Sequence, residues 1–277
     1  MNDAGLRMRV QGRRISVEPT AFGQLEAVSD PADTREVRTR LDADGCVLLR
    51  AFVSTVKVAA AARAVRDHLA TSDGTDGQRR SKRILTELAD APAVRALRQD
   101  AQVLGWFSSV FGEPARSFDH TWVRAVPPGD GTAPHCDLPY MARGTDRILT
   151  LWLPLTPVTL ADGPLAILAG SHQHPTIQDY CRLDADHLPR RLLPRFRHGR
   201  RVPEAKFSRN ADGCRRELGG RWLTSTFEPG DAVVFSARTL HCSLDNTGLG
   251  SRLSLDTRYQ PNAALCDPRW SGPTAPR

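Results

Sequence analysis

From about residue 116 the chain breaks into short β-like runs, FDHTWVRAV, RILTLWLPL, GPLAIL, RWLTSTF, DAVVFS and SRLSLDTRYQ, separated by turns that carry Pro or Gly. Several short strands at this spacing predict a sandwich or barrel. The texture upstream is different. Thr34 is placed to cap a short helix that Gly45 closes, and CVLLR at 46–50 reads as a strand. Ser54 precedes a helix that puts Val58, Ala62, Val65 and Leu69 on one face. A polar stretch from Ser72 to Arg83 reads as a loop, and a second helical region carries Leu104, Phe107 and Val110 as a stripe. Residues 1 to about 33 show no strong periodicity. No linker interrupts the chain, so one domain over 1–277 is expected, with helices over about 34–115, a β core over about 116–262 and an insertion at about 172–220.

Several classes of protein are excluded at this level. In 277 residues no apolar run reaches the length of a membrane-crossing helix, and the N-terminal MNDAGLRMRVQGRR has no secretory pattern. A hydrophobic share of 40% with 25% charged residues is that of a folded protein. The six cysteines are scattered with no CxxC pair, which predicts free thiols and a cytoplasmic setting. Only three lysines stand against 35 arginines among abundant Ala, Gly and Pro, a composition typical of GC-rich bacterial coding. The net charge of +7 sits almost entirely in RRLLPRFRHGRRVPEAKFSRNADGCRR (190–216), which carries ten cationic and two acidic residues. No nucleic-acid recognition motif accompanies that patch, so no nucleic-acid partner is expected. The segment reads either as a lid that attracts an anionic substrate or as a solvated loop.

One constellation carries chemistry. APHCDLPY contains His135 and Asp137, whose side chains project the same way if the strand before them runs on. His-x-Asp alone is uninformative, since chance supplies it in a chain this long. FSARTLHCSLDN adds His241. Two histidines and one carboxylate leave an open face on Fe(II), enough for a chelating organic acid and dioxygen. Arg252 follows eleven residues later in SRLSLDTRYQ, and a guanidinium can grip a carboxylate with two hydrogen bonds.

With these residues in place, the chain resembles the phytanoyl-CoA dioxygenase family of Fe(II)- and 2-oxoglutarate-dependent oxygenases over about residues 36–270. The shared landmarks are HTWVRAVPPG, PHCD, LWLPLTPVTLADGPLAILAGSH, EPGDAVVFSARTLHCSLDN and RLSLDTRYQP. The resemblance implies a double-stranded β-helix, a jelly roll of cupin-like form, with N-terminal helices. It implies iron on His135, Asp137 and His241, and 2-oxoglutarate held at its far carboxylate by Arg252 and Ser243 beside Trp152. Thr150, two residues from Trp152 on the same strand face, is expected in that pocket too. Thr121 and Trp122 lie on the strand from which family members often contact the cosubstrate.

Cys136 stands where the family commonly has Gln; like Cys242, it is expected to point away from the metal and pack. Asp137 removes the open chloride position of halogenating relatives. The activity implied is oxidation of an unactivated C–H bond of a small organic substrate. Hydroxylation is the default outcome, with desaturation, ring closure or epimerisation as variants, and bacterial antibiotic or other secondary-metabolite biosynthesis is the expected setting. The competing readings are a cupin-like metal hydrolase or isomerase, a non-catalytic binding barrel, and an acyl-CoA hydroxylase of lipid metabolism.

Overall fold

The computed structural model describes residues 8–72, 83–187 and 206–272. The interior of the expected loop at 72–83 and most of the basic stretch at 190–216 lie outside them.

The N-terminal part holds the strands β1 (Arg9–Val10), β2 (Arg13–Arg14) and β3 (Phe22–Gln24), helix α1 (Thr34–Asp44), β4 (Cys46–Leu49), α2 (Thr55–Ser72), β5 (Arg83–Ile84), α3 (Pro92–Arg98) and α4 (Ala101–Phe111). Then follow β6 (Ala115–Ser117), β7 (Trp122–Val126), β8 (Thr132–His135), β9 (Leu149–Pro154), β10 (Leu165–Leu168), α5 (Pro175–Tyr180) and α6 (Ala211–Leu218). The chain returns through β11 (Trp222–Thr224), β12 (Ala232–Ser236), β13 (His241–Ser243) and β14 (Arg252–Pro261). Two sheets result. The larger runs β4-β12-β9-β14-β7-β5 with β6 on β14, and the smaller runs β3-β11-β10-β13-β8.

Strand alternation sorts the side chains into three apolar layers. Leu48, Trp152, Val233 and Phe235 meet Leu165, Ile167 and Leu223 between the sheets. Val47, Leu49, Leu151, Val234, Leu253 and Leu255 turn the other way, onto the helical layer of Val58, Val65, Val103 and Phe107. Cys136, Ala166, Leu168 and Cys242 face outward from the smaller sheet onto Ile177, Tyr180 and Cys214. Both thiols expected to pack therefore do so, and all six cysteines are free.

Local signals hold with two adjustments. The α1 cap is Asp33, whose carboxylate accepts from the amides of Arg35 and Glu36, so Thr34 is the first helical residue. Pro92 starts a further helix, α3, whose seven residues are too few to show a period in the sequence.

Gly45 ends α1 at φ 78°, and a Cβ there would lie 2.5 Å from Thr239 Oγ1 and 2.6 Å from His172 Nδ1. Gly45→Ala should cost about 1–3 kcal/mol; an unchanged denaturation midpoint would show that Thr239 and His172 yield freely.

Candidate metal centre

His135 ends β8 and His241 begins β13, and the two are paired directly across the smaller sheet. Their rings lie 4.2 Å apart, centroid to centroid. Each Nδ1–H donates to the carbonyl two residues back: His135 to Ala133 at 2.9 Å and His241 to Thr239 at 3.0 Å. That contact fixes the tautomer and leaves each Nε2 lone pair facing the interior. Asp137 follows β8, and its Oδ1 lies 3.9 Å from His135 Nε2 and 3.7 Å from His241 Nε2. All three side chains are buried, and their ligand atoms lie within 4.8 Å of one another.

The other carboxylate oxygen of Asp137 is already engaged. Thr150 Oγ1 donates to Oδ2 at 2.7 Å and Arg258 Nη2 at 2.8 Å. Burial alone would raise the acid's pKa, but the charges of Arg258 and His241 and these two hydrogen bonds outweigh it. The carboxyl is held far below the ordinary range and is ionised. Burial also holds His241 below its usual value, which favours the neutral imidazole that can bind a cation. Two neutral imidazoles and one carboxylate on a common face suit a divalent first-row metal.

A cavity leads inward from the two histidines, lined by Arg124, Thr132, Trp152, Ser243, Arg252 and Asp256 among others. Three arginines point into this interior. Arg124 donates through Nε and Nη2 to Asp256 at 2.9 and 2.7 Å, and Arg258 is engaged by Asp137. Arg252 has no carboxylate partner among the described residues. Its Nη1 donates to the Gly163 carbonyl, and its buried Nε has no partner. Burial and the neighbouring Arg124 push its pKa down to about 10. A buried guanidinium with one edge unused, 5.9 Å from the Trp152 ring, is a fitting seat for one carboxylate of a small dicarboxylic acid.

The residues expected around that pocket divide. Trp152, Arg252 and Ser243 line it, and Ser243 Oγ also accepts from the Thr132 amide at 2.8 Å. Thr150 faces the same interior but directs its hydroxyl to Asp137. Trp122 lies under the Arg258 guanidinium at 4.0 Å and edge-on to His120 at 4.6 Å, and the buried Thr121 hydroxyl has no partner. Arg258, Asp256 and Arg124 extend the site beyond the residues that motif reading selects. The signal for Asp256 and Arg258 was the alternation in RLSLDTRYQ, polar at every even number and apolar at every odd one but Thr257, and that for Arg124 its even position in WVRAV.

Two stacked sheets enclosing a buried two-histidine, one-carboxylate cluster define a double-stranded β-helix with a metal site. The sequence profile of the family described as Phytanoyl-CoA dioxygenase (PhyH) matches residues 41–254, and the chain belongs to that family. A 166-residue stretch is 34% identical to the 1-deoxypentalenic acid 11-beta-hydroxylase of Streptomyces arenae, covering 56% of this chain and 52% of the relative. The matched stretch thus spans about half the length of that curated protein. Among solved structures, the epimerase SnoN in complex with Fe3+, alpha ketoglutarate and nogalamycin RO superposes with a TM-score of 0.61 at 21% identity, covering 86% of this chain and 88% of SnoN. The apoform of EctD from S. alaskensis gives 0.59 at 17% identity, covering 92% and 87%. No helix among the described residues is long and apolar enough to cross a membrane.

Proposed function

We propose that this protein is an Fe(II)- and 2-oxoglutarate-dependent dioxygenase that oxidises an unactivated C–H bond of a small organic molecule in bacterial secondary metabolism. The observation that carries this reading is the ionised Asp137 and the inward-facing Nε2 atoms of His135 and His241 beside a cavity that is also lined by Arg252, a buried guanidinium with no carboxylate partner among the described residues. A hydrolase with the same three ligands has no use for that second buried cation. Iron, 2-oxoglutarate and dioxygen together supply an oxidant strong enough to take hydrogen from carbon, with succinate and carbon dioxide as co-products.

The chain's own residues bind and orient. His135, Asp137 and His241 hold iron, while Arg252 and Ser243 receive the distal carboxylate of 2-oxoglutarate. Trp152 and Phe235 keep water from the cavity between the sheets. Hydroxylation is the outcome favoured by the name of the S. arenae relative, whose substrate is a carboxylic acid. An acidic substrate also suits the basic stretch 190–216, and a cytoplasmic location suits the free thiols.

The deciding experiment is a succinate-release screen under air with Fe(II), across terpenoid and other carboxylic acids, with products read by mass spectrometry. A gain of one oxygen is expected for the true substrate. Succinate formation that no candidate metabolite stimulates, and that persists without Fe(II), would end the proposal. Replacing Arg195, Arg197, Arg200 and Arg201 together by Gln should raise the substrate KM, weaken the salt dependence of kcat/KM and leave the 2-oxoglutarate KM unchanged. If all three parameters match the parent, the basic stretch plays no part in capture.

A further inference from the structure

We infer that Arg258 is a positioning residue that makes Asp137 bind metal through a single oxygen, and that Thr150 and Asp256 complete this device. The inference rests on the metal-site reading above and goes beyond it. A carboxylate beside a divalent cation can bind through one oxygen or chelate through both. Chelation by Asp137 would occupy a coordination position that an organic acid and dioxygen need. Two donors close that option. Arg258 Nη2 and Thr150 Oγ1 approach Oδ2 at 2.8 and 2.7 Å, while Oδ1 alone faces the two histidines.

Arg258 can perform this task because it is itself fixed. Its side chain is buried, its guanidinium lies 4.0 Å over the Trp122 ring, and its Nη1 stands 3.6 Å from Asp256 Oδ2. Asp256 is anchored in turn by the two donors of Arg124. Trp122 and Asp256 are paired across β7 and β14, so the stacking ring and the anchoring acid share one register. The run Arg124–Asp256–Arg258–Asp137 thus links the wall of the inner cavity to the metal face. Carboxylate ligands are ordinarily oriented by such outer partners, whose loss costs 10- to 100-fold in metal affinity.

Simple electrostatics makes the opposite prediction, which makes the idea testable. Arg258 is a cation beside a cation site; if charge were its only influence, removing it would tighten metal binding. Arg258→Gln, Arg258→Lys and Thr150→Val are to be titrated with Co(II) in the full-length chain, by calorimetry and by visible absorption. The antisymmetric–symmetric carboxylate splitting in the infrared reports one-oxygen against two-oxygen binding. Thr150→Val removes one donor without changing charge and guards against a variant that fails to fold. We expect Co(II) affinity to fall about tenfold or more in Arg258→Gln and by less in Thr150→Val. The infrared splitting should narrow in both, and Arg258→Lys should recover part of each effect. Affinity that rises in Arg258→Gln, or a splitting unchanged from the parent in both variants, overturns the inference. If the parent itself binds no Co(II), it is the metal-site reading that fails.

Discussion

Anaerobic addition of Fe(II) and 2-oxoglutarate to the protein should produce a weak visible charge-transfer band, and His135→Ala, Asp137→Ala and His241→Ala should each abolish it together with turnover. A three-ligand face cannot lose a corner and keep its geometry. The three losses should differ in a second respect. His135 and His241 carry no buried ion pair of the kind that joins Asp137 to Arg258, so their removal should cost less stability than that of Asp137. Asp137 is the buried counter-charge of Arg258, and deleting it strands a guanidinium in the interior. About 3–5 kcal/mol of stability should be lost in Asp137→Ala, and a somewhat smaller loss is expected in Asp137→Asn, which keeps an acceptor for Arg258 and Thr150 but not the charge. Retention of band and turnover by all three alanine variants would refute the ligand assignment. Equal stability of the Asp137→Ala variant and the parent would refute its role as counter-charge.

The second large effect concerns Arg252. Arg252→Gln should raise the KM for 2-oxoglutarate at least tenfold while iron binding persists, the scale expected when a desolvated charge pair worth on the order of 2–5 kcal/mol is broken. Arg252→Lys should recover only part, because a point charge cannot reproduce a planar fork. The structure adds a consequence for the free protein. Arg252 is buried without a carboxylate partner among the described residues, and burial beside Arg124 disfavours its charge. Its replacement by neutral Gln should therefore raise the thermal midpoint of the ligand-free chain by roughly 2–4 °C, the shift that about 1 kcal/mol produces in a large domain. 2-Oxoglutarate should stabilise the parent far more than the variant. A variant that melts lower and keeps its cosubstrate constant would assign Arg252 to the scaffold instead.

Much of this was legible before any coordinates. The helix over 34–44, the strand at 46–49 and the strands around the metal loop follow from short periodic runs bounded by Gly, Pro and capping residues. The structure brings His135, Asp137 and His241 together and places Arg252, Ser243 and Trp152 on the wall of the adjoining cavity. Arg258 and Arg124 stand in the sequence as alternatives to Arg252 for gripping the carboxylate, but Asp256 and the ion pairs that engage both arginines stayed hidden for a physical reason. An alternating strand ordinarily turns its polar face to water, so RLSLDTRYQ reads as half exposed. Only the closure of two sheets makes that polar face interior, and closure depends on contacts more than a hundred residues apart, such as Thr150 with Arg258 across β9 and β14. Thr150 illustrates the same limit: period two gives it the face of Trp152, but not the neighbour to which its hydroxyl turns.

The strand β14 is buried along all ten of its residues, yet its two faces do unrelated work. Leu253, Leu255 and Tyr259 are set in the helical layer, where the Tyr259 ring stacks on Phe107 at 3.9 Å and its hydroxyl donates to the Arg98 carbonyl. Arg252, Asp256 and Arg258 belong to the interior site. A protein engineer is thereby given two nearly separate dials on one ribbon. Repacking the odd-numbered positions against α4 tunes robustness, and editing the even-numbered ones tunes reactivity. Any change that slides the ribbon by one residue would swap the dials, drive charge into the apolar helical layer and destroy both properties at once.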